Sequence, residues 1–181
     1  MNDLIILALL VDGPKHGYQI KREAGFVLGQ GEMHNNLVYP LLRRFTEAGW
    51  VTKKARPGER GQTRHQYSLT AAGRKELIHR LGAYGEAEAA SPQGFLTRVG
   101  MFAVLDPEVR QRILEERERH LQQREQRLAG LEQNVELGVY GGEVVRHLTE
   151  QIRAERAWIR RLRRLHPDAE NRSGELTRRN A

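Results

Sequence analysis

The chain has 181 residues, 39% of them apolar and 29% charged, the balance of a soluble, mostly helical protein of one domain or two small ones. It has no cysteine, which excludes disulfides, thiol redox chemistry and cysteine-ligated metals. Of the formal net charge of +7, residues 1–85 carry +6 (13 Lys and Arg against 7 Asp and Glu), so positive charge is concentrated in the first half, as in a polyanion-binding module.

Leu4 to Val11 is a run of apolar residues with Asp3 before it, no basic leader and no small-residue cleavage pattern after it. It is too short to span a bilayer. It predicts a buried first helix over 2–11 in a cytoplasmic protein, stopped by Asp12, Gly13 and Pro14. A second helix is expected from about His16 to Leu28, with Tyr18, Ile20 and Phe26, weakened at its end by glycines 25, 29 and 31. Asn35 and Asn36 are good helix caps. Val38, Leu41, Leu42 and Phe45 then follow at i, i+3, i+4 and i+7, the stripe of an amphipathic third helix.

Pro40 falls inside that stripe. With Asn36 as the cap it is the fourth helical residue, next to the first turn, where most amide donors have no intrahelical partner anyway. Tyr39, Pro40 and Arg43 project from the face opposite the stripe, with Arg44 beside them. The Arg43 fork suits guanine, an asparagine amide suits adenine, and a flat ring packs on a thymine methyl. The amides of a helix start also suit a phosphate.

After the third helix the period changes to that of strands at 51–56 and 64–69, the second placing His65, Tyr67 and Leu69 on one face. Between them lies a turn-rich loop with Arg56, Arg60 and Arg64 around it. Arg60 and Arg64 are the preferred phosphate contacts, ahead of Lys53 and Lys54; the same charges also keep an exposed hairpin soluble. Thr70 caps a fourth helix through Leu81. Three helices, a hairpin and a helix make a winged helix-turn-helix domain over 1–85.

The second half starts after Ser91 to Gly94, with a short apolar helix over 95–105. Asp106 and Pro107 then open a long charged helix to about Leu137. Its heptad seam of Leu114, Leu121, Leu128 and Val135 is too thin for a strong two-stranded coiled coil. Gly138 to Gly142 should break the chain before a last helix over 143–165. Leu148, Ile152, Trp158, Ile159 and Leu162 mark its apolar stripe with Val145, interrupted by Glu155 and widened by Val144 and Leu165. The two helices should pair antiparallel as a domain over 93–165. The apolar surface left over calls for a second copy, with Leu148, Ile152, Trp158, Ile159 and Leu162 as dimerisation contacts. Residues 166–181 form a polar tail expected to be disordered. The histidines are scattered and no catalytic constellation stands out, so no enzyme activity, metal or cofactor is expected. The fold class is mainly α with a small sheet (α+β).

Three stretches in order, "GPKHGYQIKRE" (13–23), "VYPLLRRFTEAGWV" (38–51) and "GQTRHQYSLTAAGRKEL" (61–77), resemble the PadR family of transcriptional regulators. The resemblance implies a DNA-binding homodimer whose third helix enters the major groove. Tyr39, Pro40 and Arg43 would meet double-stranded DNA, Tyr18 and Lys21 would add contacts from the preceding helix, and the wing would reach the flanking backbone. Asn36 and Leu37 depart from the family's usual Gly followed by Ser or Thr, as does Val38 from leucine. Gln62 and Thr63 stand where Arg and Pro are common. The second half resembles the C-terminal helical dimerisation domain of one branch of the family. A two-fold dimer implies an inverted-repeat operator. The family resemblance also implies a repressor released by a small aromatic effector, although Trp158 on its apolar stripe reads first as core. A helical interaction scaffold with weak, non-specific nucleic-acid binding stays open at this point.

Overall fold

Four consecutive side chains, Leu4, Ile5, Ile6 and Leu7, are buried on helix α1 (Asn2–Leu9), so this helix is covered on all sides and sits at the centre of its unit. The computed structural model describes residues 2–29, 31–57, 63–134 and 137–165. Strand β1 (Lys15–His16), helix α2 (Gly17–Val27), helix α3 (Asn35–Glu47), strands β2 (Val51–Pro57) and β3 (Thr63–Leu69), and helix α4 (Ala71–Gly82) follow. The strands form one antiparallel sheet in the order β1-β3-β2, with Lys15 and Lys53 both opposite Tyr67. The Thr70 hydroxyl accepts the Gly73 amide at 2.9 Å, the cap expected of α4. The architecture is a winged helix followed by long helices, mainly α with a small sheet, as the sequence predicts.

Helix α3 starts earlier than expected. Its cap is His34, in extended conformation, and not Asn36; the Val38 amide reaches the His34 carbonyl at 3.2 Å. Pro40 is therefore the sixth helical residue and lies in the second turn. It has no N–H for the Asn36 carbonyl, and Asn36 is exposed, so that group is open to solvent. Val38, Leu42 and Phe45 are fully buried, which holds the helix across this lost bond.

The described residues fall into two units that interleave in sequence. The first is Met1–Tyr84 with Ser91–Leu105, and the second is Gly85–Ala90 with Asp106–Ala181. Helix α6 (Pro92–Gly100) and the 3₁₀ turn Phe102–Val104 belong to the first, where Arg98 ties α6 to the end of α4. This arginine is buried, and its guanidinium donates to the carbonyls of Leu81 (3.0 Å), Ala83 (3.1 Å) and Gly94 (3.1 Å) while lying over the Tyr84 ring. Those carbonyls include the ones left open at the end of α4.

The second unit holds helices α5 (Glu86–Ala89), α7 (Pro107–Asn134) and α8 (Val139–Leu165). Helices α7 and α8 pair antiparallel: Glu118 meets Arg163 (2.6 Å), and Glu125 further along α7 meets Arg156 (2.7 Å) and Arg153 (3.1 Å). Leu114, Leu121 and Leu128 are buried as the heptad spacing predicts, and Val135 lies outside the described residues. Helix α8 begins at Val139 rather than 143, because Gly138 is its cap: its carbonyl accepts the Gly142 amide at 3.0 Å. Glu155 interrupts the α8 stripe for a reason. It forms a two-pronged pair with Arg117, whose side chain is 1% exposed and which also donates to the Ala89 carbonyl.

Candidate nucleic-acid interface

With the stripe of α3 turned inward, its other face is open. Asn35, Asn36, Tyr39, Pro40, Arg43 and Arg44 are all exposed. Tyr39, Pro40 and Arg43 line one open cleft together with Thr46, Glu47, Lys53 and Tyr67. The Arg43 Nε stands 3.9 Å from Glu47 in a pair open to solvent, too loose to hold the guanidinium back from a ligand. Arg44 lies over the Phe45 ring, 5.5 Å from its centre.

The sheet forms the far wall of the cleft. Tyr67 on the middle strand is buried, with Lys53 opposite it on β2. Burial first, and then Tyr39 beside it, holds the Tyr67 phenol above its usual pKa, so it is a neutral hydroxyl. Lys53 shares the face of buried Val51, two residues before it, which carries its stem toward α3. Lys53 lines the same cleft as Arg43, a place that the sequence reading, which prefers Arg60 and Arg64 as phosphate contacts, does not give it. The signal was the strand period counted from Val51.

Farther out on the wing, Arg56 pairs in register with Arg64, and the Arg56 Nε donates to the Gln66 amide oxygen at 3.3 Å. Among the described residues no carboxylate pairs with Arg44, Lys53, Lys54, Arg56 or Arg64. Arg60 lies outside the described residues. On α2, Tyr18 is 51% exposed and its ring stacks on His16, with centres 5.9 Å apart. Lys21 is engaged: its ammonium meets Glu32 at 2.6 Å, and this hydrogen bond, then the charge behind it, lowers the Glu32 pKa. Lys21 must exchange that partner to meet a phosphate.

The expected dimer contacts separate into two sets. Ile152 and Ile159 are buried inside their own unit, whereas Leu148, Trp158 and Leu162 are half-buried. Among the described residues no group of His, Asp and Glu could hold a metal ion, and no helix is long and apolar enough to cross a membrane.

A model of the PadR-like family of transcriptional regulators matches residues 6–79, which include α2, α3, the wing and most of α4. A protein assigned as a transcriptional regulator in Thermoplasma acidophilum is 33% identical over 44% of this chain and 75% of its own, with a TM-score of 0.41. The chain belongs to the PadR-like family of transcriptional regulators. This PadR-like chain is also similar to a Clostridium thermocellum transcriptional regulator, at 25% identity over 43% of this chain and 76% of that one, with a TM-score of 0.39. Bacillus subtilis PadR, solved in complex with operator DNA, is 18% identical over 90% of this chain and 96% of that one, with a TM-score of 0.44. No curated protein matches the chain.

Proposed function

We propose that this PadR-like regulator binds double-stranded DNA sequence-specifically as a homodimer on an inverted repeat, acting in the cytoplasm as a repressor that a small aromatic effector releases. The observation that carries the DNA reading is the outer face of α3. Asn35, Asn36, Tyr39, Pro40 and Arg43 form an exposed surface opposite buried Val38, Leu42 and Phe45, flanked by wing cations that have no carboxylate partner among the described residues. Helix α3 reads base edges, with Arg43 on guanine and an asparagine on adenine. Lys53, Arg64 and Arg60 neutralise backbone phosphates. Tyr18 and Lys21 contact the flanking backbone. No chemical step is assigned to the chain.

Residues 93–165 supply the dimer contacts. Ile152 and Ile159 support them from within, and the contact ridge runs beside them along α8 through Val144, Leu148, Trp158, Leu162 and Leu165. Val144 and Leu148 at one end and Trp158, Leu162 and Leu165 at the other each follow helical 3/4 spacing, and the ends at Val144 and Leu165 are 57% and 63% exposed. The repressor and effector readings are supported by the family resemblance.

Selection from randomised duplex DNA tests the proposal. The expected result is a two-fold symmetric consensus and a dimer in sedimentation at micromolar concentration. Recovery of no consensus by a well-folded protein overturns the DNA reading and favours an interaction scaffold. A monomer overturns the inverted-repeat model.

A further inference from the structure

Gly17 opens α2, and its φ is not in the left-handed region, so its backbone does not require glycine. Alanine is the better helix former at such a position. What an added side chain would meet is the ring of Tyr39: a Cβ at residue 17 would stand 2.9 Å from Tyr39 Cε1 and 3.3 Å from its Oη. The other tightly enclosed glycines differ. A Cβ would come within 1.8 Å of the Gly31 carbonyl oxygen at Gly25, and within 2.1 Å of the Trp50 carbonyl oxygen at Gly73. Those two glycines serve the packing of chain on chain, where nothing yields cheaply. At Gly17 the obstructed atoms are the far end of a flexible side chain that is 43% exposed.

We propose that Gly17 is a positioning residue for Tyr39: its missing side chain is the seat that fixes the tyrosine ring on the outer face of α3. The backbone around Gly17 is itself anchored. His16 and Tyr18, the neighbours of Gly17, stack ring on ring, and His16 Nδ1 lies 3.2 Å from the His65 carbonyl of β3. The Tyr39 ring thus lies against Gly17 at the start of α2 and lines the cleft with Lys53 and Tyr67. The consequence for DNA rests on the proposed function above, while the seat itself does not. A methyl at residue 17 leaves the fold in place and re-aims the ring, which alters base preference rather than general affinity for polyanions.

The test uses the full-length protein and its Gly17→Ala, Tyr39→Ala and doubly substituted forms. Fluorotyrosine-labelled protein without DNA, with Tyr39 assigned through Tyr39→Phe, reports the ring directly by fluorine NMR. Affinity is then measured for the duplex that the wild type enriches from a randomised pool, and for its single-base variants. Gly17→Ala is expected to melt no lower than the wild type, to shift the Tyr39 resonance, and to bind the enriched duplex roughly tenfold more weakly. In the Tyr39→Ala background the same change should alter affinity by less than about twofold. An unmoved resonance, a lowered melting temperature, or a full loss that persists without Tyr39 overturns the proposal. If the wild type enriches no sequence, the DNA reading fails, and the fluorine shift alone decides the seat.

Discussion

Removing Glu155 should destabilise the protein more than removing its partner Arg117, although arginine is the larger side chain. Arg117 is 1% exposed and gives two charge-assisted bonds to Glu155, at 2.8 and 2.9 Å, besides its bond to the Ala89 carbonyl. An arginine cannot shed its charge on burial, so Glu155→Ala takes the two-pronged carboxylate from a buried cation. At about 1.5–3 kcal/mol for each charged bond, softened by rearrangement, the expected cost is about 3–5 kcal/mol, the range for breaking one side of a buried pair. Arg117→Met removes the charge together with the bonds. Glu155 is 24% exposed and turns to water, so the remaining cost is the unmet Ala89 carbonyl and imperfect packing, about 1–3 kcal/mol. Arg117→Met with Glu155→Leu should come within about 1 kcal/mol of the wild type. Urea unfolding at one fixed protein concentration measures all three. Glu155→Ala costing no more than Arg117→Met would refute the reasoning.

Arg43→Ala should cost about 1–3 kcal/mol at a single base position and leave binding to other sequences little changed, as read by titrating single-base operator variants. Arg64→Ala and Lys53→Ala should instead weaken binding to all sequences and each reduce the slope of log affinity against log salt by about 1, measured across a salt series. Burial, followed by the charges of Arg117, Arg124 and Arg127, lowers the His120 pKa from 6.5, with Glu155 opposing. A lowered folded pKa means that the stabilisation is complete above the unfolded value and is lost as pH falls through the folded one. Melting temperature should therefore drop on acidification below 6.5, and His120→Gln should flatten that dependence.

The long, strongly periodic elements were the legible ones. Val38, Leu42 and Phe45 of the α3 stripe and the Leu114, Leu121 and Leu128 seam are buried where their spacing puts them, with Leu41 half-buried at the stripe's edge, because burial of one face decides a helix. The Thr70 cap was legible because threonine before a helix has one favoured use. Strand β1 was not: at two residues it has no period, and it exists because β3 offers an open edge to Lys15 and His16. The start of α3 was misplaced because His34 caps by backbone geometry without a side-chain bond, and nothing in the sequence marks that. Glu155 looked like a break in an apolar stripe, since its partner Arg117 lies far away in sequence. In the candidate interface, the α3 face followed from the helical period, whereas Lys53 joined Arg43 only through the sheet register. The seat under Tyr39 depends on contact between two helices, which no local pattern encodes.

The central claim, that α3 reads a specific DNA sequence, is tested most directly by titrating labelled DNA from the gene's own upstream region against a scrambled duplex at near-physiological salt, with footprinting of the bound form. The account predicts binding tighter by roughly 10³-fold or more to the upstream DNA, with protection of an inverted repeat. Equal, weak and strongly salt-dependent binding to both duplexes, unchanged by Arg43→Ala, would contradict it.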